Sequence, residues 1–446
     1  MNLSSASHSD ESFQSSSSVV VATRLTDHRR AMAPPDALAT TSSATDPKVW
    51  RRIAHRAGED VAERLHVGGA STKSLSGARR HRLDASTSAT HAKRMHTLGF
   101  TVVDDARNAH SSSSSSKGVE ETRRALAECC LALRDAGLDP TWVFMYDEAW
   151  EYLNDARNVF EDDIFNGLRC NYDVLAWIVD PTVDAKTTAF CPHRDRQPDD
   201  APGSFRSDGT AKYSTIWMPL TDATPENSCL YCIPRPYDPG YFEGDCDDVD
   251  VDPMRVALDG KAAYQRIRAM PCRAGGAVAF THRLIHWGSV GEGKEGAPRI
   301  NLSCGFADDD YEPPYLAHRP DVPTVEERAG LIAAQLISYH ERFRPGAREL
   351  AVMKKLFGNV KHKFHPSYVK KVNFEFANAA LAGANQEAAD GDGGEDADDD
   401  ADDDDEAVEE ALDAMLDQAD DFEDDFDDFE DGVVDSDEEP YAKRRQ

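Results

Sequence analysis

The sequence predicts a mainly β protein with flanking helices, built around a jelly-roll core. Two observations favour this fold class. Short apolar or alternating runs recur through the middle of the chain, separated by clusters of Gly, Pro and Asp, which is typical of sandwiches and jelly rolls. Helical patterns lie on both sides of these runs. Internal repeats that would indicate a solenoid or propeller are absent from the sequence.

The first 95 residues are expected to be a mostly disordered leader. They are rich in Ser, Ala, Thr and Arg and contain few large apolar residues. Burial of these few side chains does not offset the conformational entropy that the segment would lose on ordering. A Ser- and Arg-rich leader is also compatible with an organelle transit peptide, although Asp10, Glu11, Asp27, Asp36 and Asp46 are more acidic residues than such peptides usually carry.

The opposite end is strongly acidic. Between Glu387 and Glu439, 30 residues are Asp or Glu and none is Lys or Arg, and this block supplies most of the formal net charge of −33. Like charges at this density repel one another, so residues 381–446 are expected to form a disordered acidic tail. Phe422, Phe426 and Phe429 within it would share one helical face if a partner induced folding.

The central residues, 96–380, are long enough for one folded domain. Leu98 to Val103 suits an opening strand, and a helical pattern then runs from Val119 to Leu133 behind a serine-rich loop. Five further strands are expected at Tyr172–Val179, Tyr213–Leu220, Cys229–Ile233, Ala277–Phe280 and Ile300–Phe306. Thr324 and Glu327 form a capping box that predicts a helix to about Phe343.

Composition also restricts the location of the protein. The chain has no apolar stretch long enough to cross a membrane and no secretory signal. Nine cysteines without a spaced framework favour a reducing compartment. The sequence therefore predicts an intracellular protein, cytoplasmic or nuclear, with organelle targeting by the leader as the alternative.

A candidate metal pair lies at His193 and Asp195. Residues two apart on an extended segment point to the same side, so an imidazole and a carboxylate here can bind one ion. The spacing alone is weak evidence, because the leader contains the same pair at His8 and Asp10.

The downstream sequence supplies the remaining parts of a metal site. A strand leads to His286, and after a Gly-rich turn the next strand begins with Arg299. Two histidines and one carboxylate leave three positions open on Fe(II), enough for a chelating 2-oxo acid and oxygen. Arg299 can pair with the far carboxylate of that acid, and Ser303 lies on the same face of the strand. His282, four residues before His286, is a rival distal ligand, since strand alternation does not separate the two.

From Gly99 to about Phe306 the sequence resembles the phytanoyl-CoA dioxygenase family. The resemblance rests on four segments in the family's order: His193-x-Asp195, Trp217-Met-Pro-Leu220, Asp222 to Leu230, and Ile233-Pro234. It implies a double-stranded β-helix (jelly-roll, cupin-like) core, with His193, Asp195 and His286 as iron ligands. It also implies that Arg299 and Trp217 lie in the 2-oxoglutarate pocket. Three departures from the family's pattern, Ser228, Arg235-Pro236 and Trp287, leave the metal ligands intact, but the resemblance does not extend to the substrate side.

The resemblance implies an Fe(II)- and 2-oxoglutarate-dependent dioxygenase that hydroxylates a substrate and releases succinate and carbon dioxide, with ascorbate as a candidate reductant. The substrate stays open among small molecules, acyl derivatives and protein side chains. The alternative is an inactive jelly-roll protein that binds basic partners through its acidic tail. Nucleic acid is not an expected partner, because the basic run from Lys354 to Lys371 has no aromatic platform or recognised motif.

Overall fold

The structure, a computed structural model, describes residues 38–69, 83–104, 113–180, 190–198, 200–245, 251–289, 291 and 298–390. The predicted acidic tail lies almost wholly outside these residues, as do residues 1–37 of the predicted leader. Within the described part of the chain, no helix is both long enough and apolar enough to cross a membrane.

Within the described residues, eight strands form two antiparallel sheets. The strands are β1 (Phe100–Val103), β2 (Arg169–Val179), β3 (Tyr213–Pro219), β4 (Leu230–Cys232), β5 (Arg268–Met270), β6 (Ala277–Thr281), β7 (His286–Gly288) and β8 (Arg299–Ala307). The larger sheet has the order β1-β6-β3-β8-β2 and the smaller one β5-β4-β7. Trp217, Val278 and Phe280 of the larger sheet form one buried cluster with Leu230 and Met270 of the smaller, so the two sheets pack face to face.

Helices contain more of the described residues than strands do, so the molecule is less dominated by β-structure than predicted. The helices are α1 (Thr41–Ala44), α2 (Pro47–Ala57), α3 (Glu59–Arg64), α4 (Ala85–Leu98), α5 (Ser113–Asp135), α6 (Asp147–Phe160), α7 (Gly240–Glu243), α8 (Pro253–Ala257), α9 (Val325–Ser338), α10 (His340–Phe343), α11 (Ala347–Val360) and α12 (Pro366–Asp390). The described part of the chain also contains short 3-10 helices at Pro140–Met145, Pro202–Ser204, Pro225–Asn227, Arg235–Tyr237, Ala263–Arg266 and Lys361–Lys363.

Packed structure begins well before residue 96, where the predicted domain starts. Asp46 caps α2 by accepting a hydrogen bond from the Lys48 amide, and this helix buries Trp50 completely against Trp142, with ring centroids 5.3 Å apart. The Tyr146 hydroxyl donates to the Trp50 carbonyl at 2.7 Å. The low apolar content of residues 1–95 concealed these helices, because a few well-placed side chains are enough to anchor them.

The C-terminal helices buttress the larger sheet. The Thr324 hydroxyl accepts from the Glu327 amide and the Glu327 carboxylate accepts from the Thr324 amide, which confirms the predicted capping box. The predicted single helix is two, α9 and α10, separated at Tyr339. Gly330 allows α9 to approach α11 closely, since a Cβ there would lie 2.3 Å from a methyl group of Val360.

Candidate metal and cosubstrate site

A backbone pairing brings the two candidate histidines together. The His193 amide donates to the His286 carbonyl at 3.0 Å, and the His286 amide donates to the His193 carbonyl at 3.0 Å. The segment containing His193 thereby extends the smaller sheet beside β7. Residues paired in this way project their side chains from the same face, and the two imidazole centroids lie 4.3 Å apart.

Asp195 completes the cluster. One oxygen of its carboxylate, Oδ1, lies 3.5 Å from Nε2 of His193 and 3.5 Å from Nε2 of His286. The other oxygen, Oδ2, accepts a hydrogen bond of 2.6 Å from the Thr215 hydroxyl on β3. One ligand atom from each of the three side chains lies within 4.8 Å of the others, a spacing suited to a single ion.

Backbone carbonyls orient both imidazoles toward this point. Nδ1 of His193 lies 2.8 Å from the Cys191 carbonyl oxygen, and Nδ1 of His286 lies 3.0 Å from that of Leu284. A carbonyl only accepts, so Nδ1 carries the proton in each ring and Nε2 presents its lone pair to the cluster. Metal-binding histidines are commonly fixed in this manner.

The charge of the cluster also suits a cation. Burial would raise the pKa of Asp195, but His286, His193 and the Thr215 hydroxyl together hold it well below its ordinary value. Burial and the neighbouring His193 lower the pKa of His286 to about 4. At neutral pH the cluster therefore offers a carboxylate and a neutral His286, the protonation states that metal binding requires.

His282, the rival distal ligand, is engaged elsewhere. Its Nδ1 donates to the Tyr213 carbonyl at 3.0 Å, and its Nε2 lies 2.8 Å from the Ser204 hydroxyl oxygen. Burial lowers the pKa of His282 to about 3, so the ring stays neutral within these two bonds. The structure thus brings His286, rather than His282, to His193 and Asp195.

Arg299 lies in the same cavity, which has a volume of about 100 Å³. Its guanidinium donates to the Ser228 carbonyl at 3.0 Å and to the Asn301 side-chain oxygen. Burial lowers the pKa of Arg299 to about 10. Arg299 forms no ion pair with a carboxylate of the described residues, so a buried cation faces the cavity without a counter-charge.

Trp217 and Ser303 both line this cavity and are register partners on β3 and β8. The guanidinium carbon of Arg299 lies 5.3 Å from the centroid of the Trp217 ring. The Ser303 hydroxyl is directed to the Leu175 carbonyl, 3.5 Å away. Asn301 Nδ2 is buried and has no hydrogen-bond partner in the described parts of the chain. Arg299 and Asn301 therefore leave donors available to an anion, which fits a bound carboxylate.

Comparison with known proteins agrees with this geometry. Residues 78–290 match the model of the phytanoyl-CoA dioxygenase (PhyH) family. This match covers just under half of the chain, and it identifies a domain of an iron- and 2-oxoglutarate-dependent oxidoreductase. The matched residues include His193, Asp195, His286 and Trp217 and end before Arg299.

Several solved structures resemble part of the chain at low identity. The epimerase SnoN from nogalamycin biosynthesis is 17% identical with a TM-score of 0.32, over 50% of this chain and 84% of its own. EctD from S. alaskensis, solved with 2-oxoglutarate and 5-hydroxyectoine, is 16% identical with a TM-score of 0.33, over 51% of this chain and 78% of its own. HygX from Streptomyces hygroscopicus, with nickel and 2-oxoglutarate bound, is 15% identical with a TM-score of 0.33, over 49% of this chain and 86% of its own. Among curated protein sequences there is no match.

The family domain contains a buried polar network that the sequence analysis missed. A bulge in β2, with Tyr172 at a φ of 69°, interrupts the pairing with β8 just before Asp173. The Asp173 carboxylate accepts from Arg196 at 2.8 Å, from Tyr213 at 2.9 Å and from Tyr339 at 3.0 Å. Arg196, which follows Asp195 directly, also pairs with Glu312 at 2.8 Å. The network joins the segment of the metal pair to the C-terminal helices.

Thr215 and three residues of the outer cavity were not predicted as site residues. Thr215 could have been found, because it lies two residues before Trp217 on the same face of β3. Phe190, Tyr339 and Arg342 line the outer part of the cavity, and only the fold brings α10 to it.

Cys229 and Cys232 of the CxxC motif are buried in the core between the sheets, and neither belongs to a possible metal cluster within the described residues.

Proposed function

We propose that this family member is an Fe(II)- and 2-oxoglutarate-dependent dioxygenase that hydroxylates its substrate, with iron held by His193, Asp195 and His286. The observation that supports it best is the meeting of three ligand atoms within 4.8 Å beside a buried arginine, Arg299, that pairs with no carboxylate of the described residues. We further propose that the two facing sheets are the double-stranded β-helix of the family.

The donor set fits iron. Two neutral imidazoles and one carboxylate form the facial triad of non-haem Fe(II) oxygenases, which leaves positions for a 2-oxo acid and oxygen. When bound, iron and 2-oxoglutarate supply the oxidising chemistry, in which the oxo acid is decarboxylated to succinate and one oxygen atom enters the substrate. The protein contributes position, charge and access.

Arg299 is the proposed partner of the far carboxylate of 2-oxoglutarate. A planar guanidinium can pair with a carboxylate through two parallel hydrogen bonds, and Asn301 Nδ2 is a second donor at the same place. Trp217 forms the wall beside this carboxylate. Ser303 would have to turn its hydroxyl away from Leu175 to contribute, so we assign it to the lining of the pocket.

Ascorbate is the proposed reductant that keeps the iron in its ferrous state between turnovers. The substrate is a small molecule, an acyl derivative or a protein side chain. Recruitment of a basic protein through the acidic tail stays a separate proposal, as does an intracellular location in cytoplasm, nucleus or an organelle. An inactive binding protein is the less favoured reading, because all three ligand side chains and Arg299 are in place.

Succinate formation without a prime substrate tests this proposal. The full chain is incubated with Fe(II), 2-oxoglutarate, ascorbate and air, and compared with His193→Ala and Arg299→Ala. We expect succinate from the unaltered protein, none above background from His193→Ala, and a fall of about tenfold or more for Arg299→Ala, because a charge-assisted pair is lost.

Two exposed residues supply matched controls. His362→Ala removes an imidazole and Arg348→Ala a guanidinium, and neither side chain lines the cavity. Both variants should form succinate at the rate of the unaltered protein. Succinate from His193→Ala at the unaltered rate would contradict the proposed ligand set, and absence of both Fe(II) binding and succinate in the unaltered protein would favour the binding-protein alternative.

A further inference from the structure

An aromatic wall separates the ligand cluster from helix α10. The Phe190 ring lies edge-on to His193, with centroids 4.2 Å apart, and Trp177 lies 6.3 Å from Phe190. Phe343 of α10 stacks on the other side of Trp177 at 5.4 Å. A molecule that reaches the metal from the side of α10 therefore passes over an apolar surface.

Arg342 of α10 is the cation on this wall. Its guanidinium carbon lies 3.9 Å from the centroid of the Phe190 ring and 5.0 Å from that of Tyr339. The side chain lines the cavity and is only half-buried. Arg342 makes no ion pair with a described residue. Stacking leaves the edge of a guanidinium, where its N–H groups lie, free to donate hydrogen bonds.

Anchors on both sides hold Arg342 in this place. Three residues earlier, the Tyr339 hydroxyl donates to Asp173 at 3.0 Å in the buried network. One residue later, Phe343 is buried against Trp177. An arginine fixed between two anchors loses less conformational freedom when it binds a ligand than a free surface arginine does.

The other charged side chains of the cavity have a partner, either in the described residues or in the proposed function. Arg196 pairs with Asp173 and Glu312. In the proposed function, Asp195 faces the metal and Arg299 faces the cosubstrate. Arg342 is then the remaining charged group of the described cavity lining without a partner, and it is positive.

We propose that Arg342 binds an oxyanion of the prime substrate, a carboxylate or a phosphate ester, whose apolar portion lies along Phe190. The assignment to a substrate rests on the proposed dioxygenase function, since the site adjoins the metal ligands. It selects an acidic small molecule or acyl derivative over a basic protein side chain. Arg342 lies outside the residues that match the family model, so this preference belongs to the C-terminal helices of this chain.

Sulfate binding tests the anion site without knowledge of the substrate. Sulfate has the shape and charge of a phosphate dianion. The full chain, loaded with Fe(II) and saturating 2-oxoglutarate under nitrogen, is titrated with sulfate by calorimetry at constant ionic strength. We expect the Kd to rise about tenfold or more in Arg342→Leu, less in Arg342→Lys, and not at all in Arg348→Leu, because only the first loses a charge-assisted bond.

Equal sulfate binding by the unaltered protein and Arg342→Leu, or no binding by the unaltered protein, would overturn the assignment. Thermal unfolding of each variant shows whether it is folded. The same preparations are assayed for succinate, which separates the two proposals. Succinate without Arg342-dependent sulfate binding removes the anion site alone. Arg342-dependent sulfate binding with neither Fe(II) binding nor succinate removes the oxygenase proposal and leaves an anion site that is no longer assigned to a prime substrate.

Discussion

The inner and outer parts of the cavity differ in how their charges are arranged. Inside, His193, Asp195 and His286 converge on one point and are held by backbone or hydroxyl partners. Outside, Arg342 lies over the rings of Phe190 and Tyr339 and forms no ion pair with a described residue. The inner part derives largely from the region that matches the family model and the outer part from helices beyond it. The contrast separates what the family shares, a metal and cosubstrate site, from what this chain adds, a surface that selects the substrate.

Exchange of one histidine gives the largest expected effect and tests the inner part directly. His286→Gln removes a proposed metal ligand and should lower Fe(II) affinity and succinate formation by about 100-fold or more, beyond the loss usual for outer-shell changes. His282→Gln, four residues away, should retain Fe(II) binding, because its ring contacts Ser204 and Tyr213. Fe(II) titration and the succinate assay measure both. Loss of Fe(II) binding in His282→Gln with retention in His286→Gln would reverse the assignment.

Removal of Asp173 should disconnect the two parts. Asp173→Ala leaves Arg196 with one carboxylate instead of two and leaves Tyr213 and Tyr339 without their acceptor. Breaking a buried pair from one side costs about 3–5 kcal/mol, and urea unfolding measures the change. Asp173→Asn, which keeps the shape and some acceptor capacity, should cost less. Equal stability of Asp173→Ala and the unaltered protein would show that the network does not hold α10 in place.

The pH dependence of stability supplies the smallest expected effect and tests whether His282 is a structural residue. Its folded pKa of about 3 lies below the unfolded value of about 6.5, so the folded state favours the neutral ring. This stabilisation is complete above about pH 6.5 and is lost as the pH falls toward 3. Between pH 7 and 5 the metal-free protein should lose about 2 kcal/mol from this residue. Urea unfolding of His282→Gln at both pH values should show a smaller loss of unfolding free energy between pH 7 and 5. A loss equal to that of the unaltered protein would contradict a neutral His282 ring in the folded state.

The meeting of His193, Asp195 and His286 could be predicted from the sequence. The His193-x-Asp195 pair places its two side chains by alternation, which is a local property. Alternation alone left His282 and His286 equivalent, because both lie on one face of an extended segment, and the family resemblance favoured His286. The choice depended on which ring finds other partners, Tyr213 and Ser204 in the case of His282, and such partners come from distant parts of the chain.

The outer part could not be predicted for the same reason. Arg342 follows Asp195 by almost 150 residues, and only the packing of α9 and α10 on β2 brings it to the cavity. The bulge at Tyr172 that directs Asp173 inward is likewise invisible to a pattern of alternating residues. The helices before residue 96 were not predicted, because composition is an average over the whole segment. The contact of the single residue Trp50 with Trp142 does not change that average.

The stacking of Trp50 on Trp142 gives the folded unit an earlier beginning than the family match suggests. The match starts at residue 78, yet α2 covers the Trp142 ring and the Tyr146 hydroxyl from the far side. A fragment cut at the family boundary would expose this aromatic surface to water. Exposed apolar patches promote self-association, so such a fragment should aggregate, and recombinant work should keep helix α2 together with its Asp46 cap.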